Sequence, residues 1–229
     1  MNTVILTGAV IPSCPVQRND FHERLFDYLC AIRCWLAEPS VERVIYCDAS
    51  ACQIQESIFH SDKFESLSFD ASETARIHEK GRAELDSLEF ALKNSKSKID
   101  FFFKCTGRLY VKNFRELENI INNPQHEARL RREETRPWAD TRFFGMKADY
   151  FFRKAIPYRS QITKQGGLSI EEVFYRSMVD APDFPRPYFV GYHALSNELY
   201  DEDFDDELKS QARDTMKTSF AGGFTFGRT

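Results

Sequence analysis

The sequence predicts one α/β domain built on a central, mostly parallel sheet that is flanked by helices. Three observations lead to this fold class. The first 50 residues show the pattern of strand, helix and strand, the connection that joins parallel neighbours in a sheet. Short apolar runs alternate with helical patterns along the rest of the chain. The 229 residues also contain no linker long enough to force a second domain.

Three segments define the opening βαβ unit. Residues 3–8 form a short β-rich run that a glycine and two nearby prolines close. Asp20 starts a helix whose apolar side chains recur at three- and four-residue steps over 25–36. Residues 41–47 give a second buried strand that ends at Asp48, so we expect the two strands to be parallel.

The next elements continue this alternation. Residues 65–69 predict a third strand, and a helix with inward-pointing leucines covers 83–94. The aromatic run 100–105 predicts the fourth strand.

The second half of the chain adds two more strands. Residues 140–147 predict the fifth strand, with Gly145 and Lys147 on the rim beyond it, and a helix follows at 148–155. Residues 188–192 predict the final strand.

Residues 115–136 are the most polar part of the chain, with four arginines among several glutamates. This composition predicts a solvated helix or a mobile loop. Contact of the arginines at 129–136, and of Pro137 and Trp138, with a membrane surface or a phosphate group stays open as the alternative.

Composition excludes several classes of function. The chain carries 31 basic and 35 acidic side chains and a formal charge of −4, whereas nucleic-acid binding needs an excess of basic residues. No apolar run approaches the ~20 residues that span a bilayer, and no basic leader precedes the first strand. Six cysteines without a secretion signal predict reduced, mostly buried thiols and a cytoplasmic protein.

Polar side chains follow the carboxyl ends of the predicted strands, where open parallel sheets bind ligands. Asp48 ends the second strand, where a carboxylate accepts hydrogen bonds from a ribose hydroxyl or a pyrimidine N–H. A turn-forming or helix-capping role is the alternative. At the fourth strand, Lys104 precedes Thr106, Gly107 and Arg108. Gly107 lets a ligand approach the backbone, and the guanidinium of Arg108 can bind phosphate oxygens. Surface turns are the alternative here.

A second basic site consists of Lys80, Gly81 and Arg82 ahead of a helix N-terminus, which favours anions. A surface turn is again the alternative. Beyond the first strand, a loop runs from Gly8 to Arg18. Neither GxGxxG nor GxxxxGK[ST] is present, so the sequence contains neither a dinucleotide fingerprint nor a P-loop.

The pattern from Ser169 to Glu172 predicts a capping box, in which Glu172 bonds back to the Ser169 amide. This leaves Glu171 free to point from a helix start into a cleft as a general base. His193 follows a strand end and is either structural or a ligand for phosphate or a metal. The five histidines are isolated and none sits beside a CxxC, so no zinc site is predicted.

Several segments together resemble a known family. They are TGAVIPS with a following arginine, VIYCDAS, KGRAE heading a helix that ends ALKNSK, FFFKCTGRLYVKN and DTRFFGMKADYF. Over about residues 3–200 the chain resembles bacterial glycosyltransferases that build capsule or lipopolysaccharide on a GT-A-like, single Rossmann-type domain. FKxTGRLYVKN is the most specific stretch. The resemblance implies one glycosyltransferase domain over 1–229, with a nucleotide-binding half at 1–112, an acceptor and catalytic half at 137–200 and an acidic tail at 201–229.

The resemblance also implies roles for individual residues. The catalytic base would be Glu171, with Glu172 and Asp140 as alternatives. The residues expected at the nucleoside are Gly8, Arg18 and Asp48. Those expected around the sugar and phosphates of the donor are Lys80, Gly81, Arg82, Glu84, Lys104, Thr106, Gly107, Arg108 and His193.

One departure from the family concerns the metal. Related enzymes carry Asp-x-Asp after this strand to hold Mg²⁺ or Mn²⁺ on the donor diphosphate, whereas Thr106, Gly107 and Arg108 cannot ligate a hard cation in that way. Spellings close to Asp-x-Asp at 201–205 lie in the acidic tail and are interpreted as solvated surface. We therefore expect no metal site, with cationic side chains replacing the metal. Dependence on Mg²⁺ or Mn²⁺ stays open.

The expected function is transfer of a sugar from a UDP- or CMP-linked donor to a hydroxyl of a cell-surface glycan, with inversion favoured over retention. The acceptor would be a glycan or a lipid-linked oligosaccharide, with peripheral contact at the inner face of the inner membrane. No nucleic-acid partner is expected. Two alternatives stay open: a non-catalytic module that binds a nucleotide sugar or glycan, and a sugar nucleotidyltransferase. The latter would be expected to carry a glycine-rich, basic N-terminal phosphate loop.

Overall fold

A six-stranded mixed sheet forms the centre of the computed structural model, which describes residues 2–221 and the side chains of residues 2–217. In chain order the strands are β1 (Thr3–Gly8), β2 (Arg43–Asp48), β3 (Phe64–Ser68), β4 (Phe101–Thr106), β5 (Tyr110–Val111), β6 (Ala128–Arg132), β7 (Ala139–Lys147) and β8 (Phe189–Val190). The spatial order of the sheet is β3-β2-β1-β4-β7-β6, and β5 pairs separately with β8.

Within residues 2–221, seven α-helices accompany these strands. They are α1 (Phe21–Ala37), α2 (Ser72–Ile77), α3 (Lys80–Asn94), α4 (Phe114–Ile121), α5 (Ala148–Lys154), α6 (Ile170–Ser177) and α7 (Asp206–Ala221). Short 3₁₀ helices lie at Glu56–Phe59 and Ile156–Gln161. Within residues 2–221 no helix has both the length and the apolar character needed to cross a membrane.

The parallel half of the sheet comprises β1 to β4, which confirms the predicted opening. β1 pairs in parallel with β2 and β4, and β2 pairs in parallel with β3. Both faces of β1 are covered, so its alternate side chains enter two cores. Val4 and Leu6 belong to the core that contains the apolar face of α1, whereas Ile5 packs in the core that contains the leucines of α3. The carboxyl ends of these strands consequently share one edge.

The fifth predicted strand is present as β7, but it runs antiparallel to β4. Lys147, the last residue of β7, pairs with Phe101, the first residue of β4. The end of β7 that meets the carboxyl end of β4 is therefore its beginning, near Asp140. The prediction that Gly145 and Lys147 lie on the ligand-binding rim is wrong for this reason.

The polar segment is also more ordered than predicted. It contains α4 and then β6, so the prediction of a solvated helix or mobile loop is wrong for residues 128–132. Ala128 and Leu130 are buried, whereas Arg129 and Arg131, which alternate with them, are partly exposed. The chain itself protects this sheet edge, since the Leu130 N–H donates to the Pro182 carbonyl at 3.3 Å.

The basic segment that the sequence placed ahead of a helix belongs to that helix, which is α3. Lys80, Gly81 and Arg82 form the first turn of α3, with Glu79 as the N-cap residue. The prediction that these three residues precede the helix is therefore wrong, and so is the alternative of a surface turn.

The acidic tail is folded onto the domain through α7, which packs against α1. Asp201 accepts a hydrogen bond from the Phe189 N–H at 2.9 Å, and Asp203 accepts one from Lys209 Nζ at 2.6 Å. These two aspartates therefore hold the chain beside β8 and are not simply solvated surface. Residues 222–229 of the predicted tail lie outside the described residues.

All six cysteines are free and five of them are buried, as predicted. Burial raises the pKa of the Cys52 and Cys105 thiols to about 12. These two side chains are consequently protonated at neutral pH and pack as small apolar groups.

The end of β1 generates a stability prediction. A Cβ atom at Gly8 would lie 2.6 Å from Tyr28 Cε1, and the Tyr28 hydroxyl is fixed by a hydrogen bond from the Ala9 N–H at 3.0 Å. We expect Gly8→Ala to lower the free energy of unfolding by about 1–3 kcal/mol, because overpacking forces this contact to shift. Urea denaturation measures the change.

A double-mutant cycle provides the control for this steric explanation. Tyr28→Leu removes the ring that the new methyl group would meet, so the double variant should cost less than the sum of the two single variants. Strict additivity of the two changes would contradict the proposed contact.

Candidate functional site

A cavity of about 630 Å³ opens at the edge of the sheet where β1 and β4 end and β7 begins. Its walls come from the loop after β1, the N-terminal turns of α3, the beginnings of β7 and α6, and the segment 191–200. Such a crevice is where open parallel sheets bind ligands. The predicted site residues that line it are Gly8, Lys80, Glu84, Thr106, Arg108, Asp140, Glu171 and His193.

Arg108 is the best placed cation in this cavity. Its Nε donates to the Tyr192 carbonyl at 3.0 Å, which fixes the side chain. Among the described residues, no carboxylate lies within ion-pair distance of its guanidinium. Arg108 can therefore direct its remaining N–H groups at an anionic ligand.

His193 lies beside Arg108 on the same wall. Burial lowers the pKa of His193, and the positive charge of Arg108 lowers it further, so the ring is neutral at pH 7. Its Nδ1 accepts a hydrogen bond from the Ser196 N–H at 3.3 Å. The neutral ring consequently carries its proton on Nε2, which makes it a hydrogen-bond donor there.

Asp140 and Arg142 form a tight pair at the start of β7. Arg142 Nε lies 2.8 Å from Asp140 Oδ1, and Arg142 Nη2 lies 2.6 Å from Asp140 Oδ2. The guanidinium also packs over the rings of Phe189 and Tyr200. Both Asp140 oxygens are therefore engaged by a guanidinium within the protein.

Lys104 does not line the cavity. Its ammonium group is fully buried and donates to Glu84 and to the Thr141 carbonyl, with Thr106 Oγ1 at 3.3 Å. Lys104 therefore neutralises Glu84 behind the cavity wall, while Glu84 and Thr106 reach the cavity surface.

Glu171 and Glu172 have different roles, as the capping-box pattern predicts. Glu172 completes the box at Ser169: its Oε2 accepts from the Ser169 N–H at 3.0 Å, and its own N–H donates to Ser169 Oγ at 3.2 Å. Glu171 instead lines the cavity, where Thr141 Oγ1 lies 3.4 Å from its Oε1. Burial raises the pKa of Glu171, and the charges of Glu84 and Glu79 add to this.

Asp48 is wholly internal, although it ends β2 as predicted. Its Oδ1 accepts from the Ser50 N–H at 2.7 Å and the Cys52 N–H at 3.1 Å, and its Oδ2 accepts from the Val10 N–H at 2.9 Å and the Tyr46 hydroxyl at 2.7 Å. The turn-forming alternative therefore describes this carboxylate. It ties the loops after β1 and β2 together without entering the cavity.

Arg18 also acts within the protein. Its guanidinium makes a two-point ion pair with Asp27, donates to Asn197 Oδ1 at 2.8 Å and lies 4.3 Å from the ring centroid of Tyr192. The Arg18 N–H also donates to the Ala194 carbonyl at 3.2 Å. Arg18 thus fastens the segment 191–200, which carries His193, to the loop after β1.

Two of the predicted glycine positions serve packing. A Cβ at Gly81 would lie 2.7 Å from Ile170 Cγ2, and one at Gly107 would lie 2.9 Å from the Thr7 carbonyl oxygen. Arg82 next to the first of them donates to the Arg159 carbonyl at 2.6 Å and does not line the cavity.

Sequence reasoning missed Arg24, which lines the cavity from the first turn of α1. Arg24 is almost fully buried and donates to the carbonyls of Ala9 and Val10 and, at 3.1 Å, to the Tyr28 hydroxyl. A cation four residues before a buried tyrosine, just after a ligand-binding loop, is the signal that could have identified it.

A second missed residue is Glu79, the residue before α3. Among the described residues, its buried Oε2 has no hydrogen-bond partner, and burial raises the pKa of Glu79, with a further contribution from Glu84. Tyr200, which lines the cavity from the segment after β8, was also missed. Glu133, Arg136 and Trp138 line the cavity from the β6–β7 hairpin, in the segment for which the sequence left contact of its arginines and Trp138 with a phosphate group or a membrane open.

Within residues 2–221 no group of three or more His, Cys, Asp and Glu side chains is arranged to hold a metal ion. Two of the cavity carboxylates are instead ion-paired, Asp140 with Arg142 and Glu84 with Lys104.

No protein-family model matches the sequence, and no curated protein matches it in sequence. Solved structures, however, are similar. The galactosyltransferase LgtC, solved with donor and acceptor sugar analogs, aligns with a TM-score of 0.50 at 9% identity over 80% of this chain and 73% of LgtC. The glycosyltransferase GlyE from Streptococcus pneumoniae TIGR4 aligns with a TM-score of 0.52 at 7% identity over 81% of this chain and 46% of GlyE.

The inositol-1-phosphate CTP transferase from T. maritima also aligns, with a TM-score of 0.48 at 11% identity over 94% of this chain and 96% of that chain. It is too distant in structure to support an argument. At such low identities the likeness to LgtC and GlyE concerns the fold. This chain therefore has a GT-A-like α/β fold, which confirms the predicted fold class.

Proposed function

We propose that the chain is a glycosyltransferase that moves a sugar from a nucleotide-sugar donor to a hydroxyl group of a glycan acceptor. The observation that carries this proposal is the pairing of two features in one cavity of a GT-A-like fold. Arg108 is a guanidinium that has no carboxylate partner among the described side chains, which suits a phosphate. Glu171 is a partly buried carboxylate with a raised pKa, which suits the proton of an attacking hydroxyl.

The donor would lie along the wall where β1 and β4 end. Arg108 would bind its phosphate oxygens, with His193 and Lys80 as further donors on the cavity surface. The nucleoside would contact the loop after β1, which Asp48 and Arg18 hold in place from within the protein. These two predicted donor residues thus act by positioning the loops.

The proposed chemistry is a single displacement with inversion. Glu171 accepts the proton of the acceptor hydroxyl while that oxygen attacks the anomeric carbon of the donor sugar. The bond between the anomeric carbon and the phosphate oxygen breaks, and its electron pair leaves with the nucleotide. Arg108 stabilises the negative charge that develops on the leaving phosphate, and a positioned base contributes ~10²–10⁴-fold to such a step.

We further propose that the transfer needs no divalent metal. Cationic side chains at Arg108 and Lys80 would supply the charge that a metal supplies in related enzymes. The ion pairs of Asp140 with Arg142 and of Glu84 with Lys104 support this proposal, because these carboxylates already have cationic partners.

The finer points of the proposal rest on the sequence resemblance alone. They are a UDP- or CMP-linked donor, a lipopolysaccharide or capsule glycan as acceptor, and action in the cytoplasm at the inner face of the inner membrane on a glycan or a lipid-linked oligosaccharide.

A thermal-shift panel of UDP- and CMP-sugars, each with Mn²⁺ or with EDTA, tests donor class and metal dependence together, because a ligand that binds the native state raises Tm. We expect one nucleotide sugar to raise Tm equally in EDTA and to release nucleotide slowly without acceptor. Binding with no turnover under any condition would indicate the non-catalytic module instead. Synthesis of a nucleotide sugar from a nucleoside triphosphate and a sugar phosphate would indicate the nucleotidyltransferase.

Replacement of the base gives the next prediction. Glu171→Gln should lower kcat by at least about 10²-fold while leaving the donor-induced rise in Tm unchanged. The matched control is Glu172→Gln on the same helical turn, which keeps the capping box, because the glutamine amide oxygen also accepts from the Ser169 N–H, and should retain turnover. Loss of donor binding in Glu171→Gln, with the rate per bound donor unchanged, would disprove the assigned role.

The pH dependence of the wild-type enzyme provides an independent check on this base. A carboxylate accepts protons only when ionised, and burial, with Glu84 and Glu79, raises the pKa of Glu171. We therefore expect kcat to rise with pH through a value above the ordinary glutamate pKa of about 4.3. An acid limb at or below that value would contradict the assignment.

Arg108 generates a binding prediction. Arg108→Ala should weaken donor binding about 10- to 100-fold, since a hydrogen bond to a charged group contributes about 1.5–3 kcal/mol. The donor affinity of Arg108→Lys should lie between those of the wild type and Arg108→Ala, because lysine keeps the charge and loses the fork geometry. Isothermal titration calorimetry measures both.

Arg153→Ala serves as the control for loss of an arginine. Arg153 is 54% exposed, pairs with Glu127 on the surface and does not line the cavity. If Arg108→Ala binds the donor as tightly as Arg153→Ala does, Arg108 is not the phosphate ligand.

A further inference from the structure

The hairpin between β6 and β7 brings an aromatic side chain to the cavity that the proposed transfer does not yet use. The hairpin covers residues 133–138 and is closed by a hydrogen bond from the Glu133 N–H to the Trp138 carbonyl at 2.9 Å. Glu133, Arg136 and Trp138 all line the cavity. This places an indole ring on the surface that a ligand would contact.

The three side chains form one polar and aromatic unit. The Arg136 guanidinium lies over the Trp138 ring, 4.3 Å from its centroid. Glu133 holds it with two hydrogen bonds, from Nε at 2.6 Å and from Nη2 at 2.9 Å. Because the guanidinium and the carboxylate neutralise each other, the unit offers donors and acceptors beside an aromatic ring without net charge.

This unit lies on the side of the cavity that contains Glu171. Thr141 follows Trp138 by three residues on β7, and its Oγ1 lies 3.4 Å from Glu171 Oε1. The negative charge of Glu171 also acts on Arg136, after the larger influence of Glu133, and both raise the pKa of the guanidinium. A molecule seated against Trp138 is therefore a neighbour of the proposed base and not only of the phosphate-binding wall.

The partners of the arginines in β6 indicate which ligand fits. Arg132 pairs with Asp183, Arg131 lies 3.7 Å from Asp140, and Arg129 donates to the Asp183 carbonyl at 3.0 Å. Attraction to an anionic membrane needs basic side chains that are free to reach it, and these arginines are instead held by groups of the protein. An aromatic face edged by balanced donors and acceptors suits a neutral, polyhydroxylated ring.

We propose that Trp138, Arg136 and Glu133 form the acceptor subsite, and that the acceptor unit bound there is a neutral pyranose. Its apolar C–H face packs on the indole, and its hydroxyls hydrogen bond with Arg136 and Glu133. The assignment of this unit as the acceptor, and not merely as a bound sugar, rests on the proposed glycosyl transfer.

Tryptophan fluorescence tests the subsite directly. The chain has two tryptophans, and Trp35 is fully buried in the core, so a ligand-dependent change in emission reports on Trp138. Neutral methyl glycosides of glucose, galactose and N-acetylglucosamine are titrated with and without a nucleoside diphosphate. We expect a saturable change with at least one glycoside and none in Trp138→Phe.

The outcomes of this titration separate the two proposals. No response to any glycoside, in a protein that hydrolyses a nucleotide sugar, overturns the subsite and leaves the proposed function intact. A saturable response in a protein that turns over no nucleotide sugar supports a sugar site and overturns the proposed function. A blue shift with phosphatidylglycerol vesicles, and none with glycosides, overturns the subsite in favour of membrane contact.

Steady-state kinetics assign the subsite to the acceptor. Trp138→Ala should raise the acceptor KM about tenfold, as expected for loss of an aromatic contact, and leave the rate of donor hydrolysis within about twofold. The matched control is Tyr158→Ala, an aromatic that is 38% exposed and lies outside the cavity. An unchanged acceptor KM in Trp138→Ala, or an equal rise in the donor KM, would contradict the assignment.

Discussion

The buried ammonium group of Lys104 connects the three elements that form the inner wall of the cavity. It lies on β4, its carboxylate partner Glu84 lies on α3, and its carbonyl partner belongs to Thr141 on β7. An ammonium group in a protein interior costs several kcal/mol unless it is paired and hydrogen bonded. The relative placement of α3, β4 and β7 is therefore constrained by a single charge, and the cavity that these elements border inherits that constraint.

The same ion pair decides which carboxylates remain available for chemistry. Glu84 is ion-paired with Lys104 and Asp140 is ion-paired with Arg142, so both carboxylates already have cationic partners within the protein. Among the described residues Glu171 has no ion-pair partner, and burial, with the charge of Glu84 as a further contribution, raises its pKa. A base and a cation can share a cavity only if they do not neutralise each other. The cavity meets this condition because Arg108 lies at the end of β4 and Glu171 lies at the start of α6.

The sequence predicted the starts of those helices whose first residues contain a capping side chain. The N-cap Asp20 and the capping box at Ser169 gave the starts of α1 and α6 because their side chains bond the first backbone amides of the helix. The start of α3 was placed too late because Glu79 makes no such bond, so only the apolar pattern from Ala83 was visible. The direction of β7 was not predictable, since alternation defines the faces of a strand and not its orientation.

The site residues divide in the same way. A residue's place at a strand end is readable from the sequence, but whether its side chain turns outward depends on partners that are distant in the chain. Arg108 and His193 reach the cavity, whereas Asp48 is held inside by amides of the loop after β1 and of its own turn. Among the described residues three amides and two hydroxyls donate to this carboxylate, which leaves it little capacity for a ligand. The position of Asp48 at a strand end, which suggested a ribose contact, instead serves to anchor the neighbouring loops.

This internal anchoring determines how the nucleoside wall is built. Asp48 holds the Val10 amide, and Arg24 holds the carbonyls of Ala9 and Val10, so the loop after β1 is fixed from both sides by buried charges. The side chains that this loop presents to the cavity are small or apolar, such as Ser13, Cys14 and Val16. Hydrogen bonds to a base and ribose would then come largely from backbone groups, whose positions are set by loop conformation. A wall of this kind selects its ligand through the rigidity of the loop. The buried charges of Asp48 and Arg24 therefore hold the loop in place and do not themselves bind the ligand.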